Sequence, residues 1–230
     1  MNKQQDNQCQ VITFKERVKQ NAISNANLFK ENFVDCEYCI ISKAFEAGYT
    51  IIKAFEGNYL HLIGVNASMP ADSFFKKCFD GRLNENDFDF KKQGVSSKAL
   101  KGAVREKIKV FPNMISFFDG KTLLVQKDFK KNKIECAFAS TDNTCTLGFS
   151  DSGHPKTLLK GNHLNSEKSF SVDVIIKKKV NEGKFKDIVY NDSTADLSYL
   201  DGSIVSIISD DIMSLMGTII KNKGNNESQE

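Results

Sequence analysis

Ile134-Glu135-Cys136-Ala137-Phe138-Ala139-Ser140-Thr141-Asp142-Asn143-Thr144-Cys145-Thr146-Leu147-Gly148-Phe149 decides the fold. Ile134, Cys136 and Phe138 alternate with other residues, and so do Cys145, Leu147 and Phe149. That is the period of a strand with one buried face. Asp142-Asn143 between the two runs is a turn pair, so the stretch reads as a β-hairpin.

The same rhythm extends on both sides. Leu123 and Val125 precede it. Val172, Val174 and Ile176, then Ile188-Val189-Tyr190, follow it. Lys131-Asn132, Asp151-Ser152-Gly153 and Asn181-Glu182-Gly183 punctuate the series. Short connections make antiparallel neighbours, and the whole half reads as one meander of four or more strands.

Upstream the period changes. Val11, Phe14, Val18, Ala22, Ala26, Phe29 and Phe33 recur at steps of three and four, which predicts a helix of about six turns. Tyr38–Ser42 and Tyr49–Phe55 read as short strands, with Gly57-Asn58 as a turn. Ser68 and Pro70 open a short helix with Phe74, Cys78 and Phe79 inward, and Gly81 ends it. Asn84–Phe90 reads as an acidic loop or cap. A second long helix starts near Ser97 on Leu100, Val104, Ile108 and Phe111, and Pro112 should end or kink it. The fold class is α+β, N-terminal helices packed on a C-terminal four-stranded or larger antiparallel sheet. Ile204, Ile208, Ile212, Leu215 and Ile219 predict a C-terminal amphipathic helix, followed by a polar, disordered tail over Lys221–Glu230.

Composition narrows the function classes. The chain has 230 residues, a net charge of +3, 18 Phe and no Trp. A mild positive charge permits a nucleic-acid partner without predicting one. The polar N-terminus lacks a signal-peptide core and no apolar run spans a membrane, so the expectation is a cytoplasmic chain with free thiols. Cys36-Glu37-Tyr38-Cys39 has no second ligand pair, so no metal is expected there. Phosphate-loop, dinucleotide, serine-elbow and zinc-helix motifs are absent, and no cofactor is implied.

Several residues remain as candidates. His61, in Tyr59-Leu60-His61-Leu62-Ile63-Gly64-Val65, is an imidazole in an apolar run. It either satisfies a buried hydrogen bond or moves protons. Lys98, Lys101, Arg105 and Lys109 form a basic stripe on the second long helix, solvated or phosphate-binding. Arg105 is one of only three arginines, with Arg17 and Arg82. Alternation puts Ser140, Thr144 and Thr146 on a polar patch of the sheet surface, with Lys160 arriving from the next connection. His154 and His163 read as surface histidines.

Tyr59–Val65, Ser73–Cys78 with Asn84–Phe90, Gly102–Val110, Phe138–Phe149 and Pro155–Asn162 together resemble successive blocks of the phage-associated barnase–EndoU–colicin–RelE-like nucleases, in the branch common in Firmicutes and their mobile elements. The resemblance covers about residues 25–190. Residues 1–24 are then an N-terminal helical extension, and 191–230 a C-terminal helix and tail. It implies a toxin-like, phage- or mobile-element-type hydrolase. This would be a metal-independent endonuclease that cleaves RNA, possibly tRNA, by attack of the 2′-hydroxyl. It further implies His61 as base or acid, Arg105 and Lys160 on the phosphate, and hydrogen bonds from Ser140 and Thr144. The polar patch and the basic stripe add Thr146, Lys98, Lys101 and Lys109 as expected substrate-binding residues. The acid–base pair is completed only if Lys160 or Lys107 serves. An inactive domain of the same fold, binding nucleic acid, an inhibitor or a host protein, is the alternative. A structural protein that oligomerises through the C-terminal helix is a third.

Overall fold

The computed structural model describes residues 12–119 and 122–216. It is α+β, as the two periods predict. Val11, Cys9, Ile219 and the tail lie outside these residues.

The first helix, α1 (Phe14–Phe29), is capped by Thr13, whose side chain accepts from the Glu16 N–H at 3.0 Å. It continues into a π-helical turn over Lys30–Val34. The six-turn helix expected through Phe33 is therefore not uniform, and the wider winding brings Phe33 to stack on Phe29 at 5.3 Å. α1 runs unbroken across residues 24 and 25, and Val18 and Ala22 are fully buried. Residues 14–24 thus pack into the core as part of α1.

Strands β1 (Cys36–Ile41) and β2 (Tyr49–Lys53) form a hairpin. Glu56-Gly57 then turns into a short helix, α2 (Asn58–Ile63), so the expected turn at Gly57-Asn58 lies one residue earlier. Two-residue strands β3 (Asn66–Ala67) and β4 (Phe88–Asp89) bracket α3 (Ala71–Phe79). Pro70 and not Ser68 precedes α3. Ser68 instead donates to the Asp87 carbonyl. Phe74, Phe75 and Cys78 face inward, whereas Phe79 is 41 % exposed, one helical step past the stripe.

The long helix α4 (Ser97–Ile115) carries Pro112 inside it without ending. Proline removes the N–H that would bond the Ile108 carbonyl four residues back. The Asn21 side chain of α1 donates to that carbonyl at 3.1 Å and takes the missing donor's place.

The remaining strands are β5 (Leu124–Lys131), β6 (Ile134–Thr141), β7 (Cys145–Phe149), β8 (Pro155–Lys160), β9 (Phe170–Ser171), β10 (Val174–Lys179) and β11 (Asp187–Asn191). The single meander divides. β5 to β8 and β9 form one sheet in the order β8-β7-β6-β5-β9, but β10 and β11 return to the N-terminal hairpin in the order β11-β10-β1-β2. Cys39 thereby faces Ile176 in an antiparallel register. The helices and inner faces of both sheets share one core built on Phe29, Tyr59, Phe75, Phe111 and Phe149.

The far face of the first sheet is covered by the C-terminal segment. Ile204 sits in a 3-10 turn, Gly202–Ser206, and Ile208 bridges to Phe185. Residues 210–216 are helical. Ile204, Ile208, Ile212 and Met216 are buried against Cys39, Ile41 and Val174. The amphipathic face is real, but a single α-helix from Ile204 is not, and Leu215 is 54 % exposed. These isoleucines cover the chain's own sheet.

Cys36 and Cys39 lie three apart on a strand, so they point to opposite faces and into different clusters. Burial pushes the Cys39 thiol up to about 12. No group of three or more metal-ligating side chains occurs among the described residues, and no described helix is long and apolar enough to cross a membrane.

Candidate active site

His61 does not point into the core. It stands exposed on the last turn of α2, while its neighbours Tyr59, Leu62 and Ile63 are buried. An α-helix explains this: positions 59, 62 and 63 share a face and 61 lies off it. Gly64 then closes α2 in the left-handed conformation, φ 85, and the chain turns away into β3.

His61 lines a cleft of about 750 Å³. Its walls come from α2, β3, the loop after β4, α4, the β5–β6 turn and β8. Four lysines converge on it: Lys92, Lys107, Lys133 and Lys156, against one acid, Glu135. Leu60, Val65, Leu100 and Leu159 form its apolar part. The Glu135 carboxylate is 3.4 Å from Lys130, and Lys156 donates to the Glu135 carbonyl at 2.8 Å. The cleft is therefore a cationic depression with an apolar floor, a setting for a phosphate that carries a base or a sugar.

Lys107 is the central cation. Its Nζ donates to the His61 carbonyl at 2.8 Å, at the C-terminal end of α2. A free helix-end carbonyl and the negative end of the helix dipole both favour an ammonium there. Burial, with Lys92 adding repulsion, nevertheless holds Lys107 down to about 8. Burial, then Lys107 and Lys92, also hold the His61 imidazole below its ordinary value. Near neutral pH the site thus presents a neutral imidazole beside a charged, easily deprotonated amine. That pairing suits proton transfer.

The other candidates lie apart from the cleft. Arg105 is two residues from Lys107, hence about 200° around α4, and packs over Phe14 of α1 at 5.0 Å. Lys101 lies over Phe90, 5.5 Å away. Lys98 is exposed near the start of α4. Lys109 and Lys160 both bond Glu106, at 2.9 and 3.0 Å.

The hydroxyl hairpin is not a surface patch. Ser140 is buried and donates to the Leu124 carbonyl at 2.8 Å. Thr146 is buried, donates to the Gly161 carbonyl and accepts from the His163 N–H. Thr144 is exposed, and its hydroxyl donates to Asp142 at 2.7 Å within the turn. Ser140 lies two residues beyond Phe138 and shares its inward face, while Thr146 lies on the opposite face, which is covered as well. Phe138 joins the main core, while Cys136 packs with Phe129 and Ala139 in a second cluster. Asp128, left-handed at φ 50, lies in the adjacent strand between the Lys127–Phe138 and Phe129–Cys136 pairs.

The remaining histidines are half-buried and not superficial. His154 Nδ1 meets the Lys53 carbonyl at 2.9 Å, and its ring lies 4.7 Å from Phe55. His163 contacts Lys131.

Lys107 carried a signal in the sequence. It lies three residues after Val104 and four before Phe111, inside the apolar stripe of α4, as His61 lies inside an apolar run. Lys92, Lys133 and Lys156 come from separate loops and a strand start, and no local pattern links them.

No curated protein and no solved structure matches the chain. One family model does, over residues 23–198, and its description is a nuclease. The model begins inside α1 and ends within the segment that covers the first sheet, so it spans both sheets and the cleft. The class of substrate to which the family points is nucleic acid. The chain belongs to the phage-Barnase-EndoU-ColicinE5/D-RelE like nuclease 4 family.

Proposed function

We propose that the chain is a metal-independent endoribonuclease whose working pair is His61 and Lys107. The observation that carries this is the 2.8 Å bond from Lys107 Nζ to the His61 carbonyl, inside a cleft with three further lysines. His61, neutral near pH 7, takes the proton from the 2′-hydroxyl. The 2′-oxygen bonds to phosphorus and the bond from phosphorus to the 5′-oxygen breaks. Lys107 gives its proton to the departing 5′-oxygen. The products are a 2′,3′-cyclic phosphate and a 5′-hydroxyl, and exchange with water restores both groups. Lys92, Lys133 and Lys156 offset the charge gathering on the phosphorane. Lys160, Thr144, Ser140 and Thr146 have no part in the chemistry in this reading.

Purified protein should cleave RNA in EDTA and leave a cyclic phosphate end. His61→Ala and Lys107→Met should each lose most of that rate. Absence of cleavage by the wild-type chain would leave the alternative, a domain that binds RNA or a host protein in the cytoplasm without cutting. The separation of Arg105 from the cleft favours that second reading.

A further inference from the structure

Two of the chain's three arginines approach one ring. Arg17 comes from α1 and Arg105 from α4, with guanidinium carbons 5.8 and 5.0 Å from the centre of Phe14. Phe14 stacks on Phe90 at 5.3 Å, and Lys101 lies over Phe90. Both arginines are exposed. The acids beside them in sequence are engaged elsewhere, Glu16 with Lys19 and Glu106 with Lys109 and Lys160. Like charges gathered near one ring repel each other, and an anion bound beside them relieves the repulsion. A guanidinium packed on an aromatic face keeps its N–H edge free for a bidentate bond to phosphate.

The pair connects to the cleft. Phe90 lines a second depression, of about 460 Å³, together with Lys91, Lys92 and Ser97. Lys92 and Asn66 border both depressions. A surface therefore runs from His61 past Lys92 and Phe90 to Lys101 and the arginines. Asp89, beside it, is taken up by Asn66 and by the Lys91 N–H.

We propose that the seam between α1 and α4 is a second phosphate-binding station. There Arg17 and Arg105 grip the backbone of the RNA strand whose scissile linkage lies in the His61 cleft. The identity of the strand rests on the nuclease reading. Charge complementarity along a continuous track selects a polyanion as the occupant. Arg105 thus keeps a phosphate role, at a distance from the reacting atoms.

The test uses the full chain and a fluorescent single-stranded RNA, 2′-O-methylated so that it cannot be cut. Anisotropy is followed across a salt titration in EDTA. Losing two phosphate contacts should lower the slope of log K against log salt by about 1.4, at roughly 0.7 per phosphate for a single strand. Arg17→Gln/Arg105→Gln should show that drop and weaker binding. Arg17→Lys/Arg105→Lys should bind more weakly while keeping the slope, and serves if the glutamine pair fails to fold. Wild-type affinity and slope in the glutamine pair would overturn the proposal. A wild-type chain that cuts no RNA, with the slope still dropping in the variant, would overturn the nuclease reading and leave the phosphate station standing.

Discussion

Replacing Gly64 by alanine would perturb the cleft without replacing a candidate residue. Gly64 closes α2 at φ 85 and ψ 15, a conformation that costs an L-residue about 1–2 kcal/mol. A Cβ there would stand 2.9 Å from Lys107 Cδ and 3.0 Å from its Nζ. The neighbour is the far end of a flexible side chain, so Lys107 moves and the backbone does not. The stability cost is then that of the conformation alone. At about 2–4 °C per kcal/mol, the Tm falls by about 2–8 °C. The larger consequence is functional, because Lys107 is pushed off the His61 carbonyl. Gly64→Asn separates the two effects. Asparagine tolerates the left-handed region better, yet brings the same Cβ. Calorimetry should show a smaller drop in Tm for Gly64→Asn than for Gly64→Ala, while both lose RNA cleavage to a similar degree. Full cleavage in both variants would refute the coupling of Gly64 to Lys107.

Other expectations follow from single contacts. Asn21→Ala should cost about 1–3 kcal/mol more in the native background than beside Pro112→Ala, where a restored N–H bonds the Ile108 carbonyl. Equal costs in a double-mutant cycle by urea unfolding would contradict the role assigned to Asn21. Ser140→Ala and Thr146→Val should each lower stability by about 1–3 kcal/mol by orphaning buried partners, while RNA affinity stays the same. A selective loss of affinity in either would return the hairpin to the binding site. Tyr59→Phe should cost about 0.5–1.5 kcal/mol, since its buried hydroxyl donates to the Ala22 carbonyl at 2.6 Å, as denaturant midpoints would show.

Local patterns in this chain announce elements and faces, not partners. The stripe from Phe14 to Phe29, the turns at Asn132 and Asn143, and the end of α3 at Gly81 are all readable from spacing and turn chemistry. The pairing of β1 with β10 is not, because Cys36 and Lys179 are far apart in sequence and nothing local ties them. Pro112 inside α4 is equally illegible, since its compensation comes from a different helix. Burial of Ser140 is legible, since it continues the inward phase of Phe138, but burial of Thr146 follows from covering both faces of a sheet, which alternation within one strand cannot reveal. Of the site, His61 stood out as an imidazole among aliphatics. Arg105 drew attention by rarity, whereas the signal of Lys107 was its place inside the apolar stripe of α4, between Val104 and Phe111.

The pH profile of kcat/KM for RNA cleavage in EDTA tests the His61–Lys107 pair most directly. His61 must be neutral, and its pKa is lowered, so activity should rise through a point below 6.5. Lys107 must be protonated, so activity should fall as pH passes about 8. Lys107→Arg should remove the falling limb, and His61→Ala should abolish cleavage. A falling limb unchanged by Lys107→Arg, or a His61→Ala chain that cuts at the wild-type rate, would contradict the account.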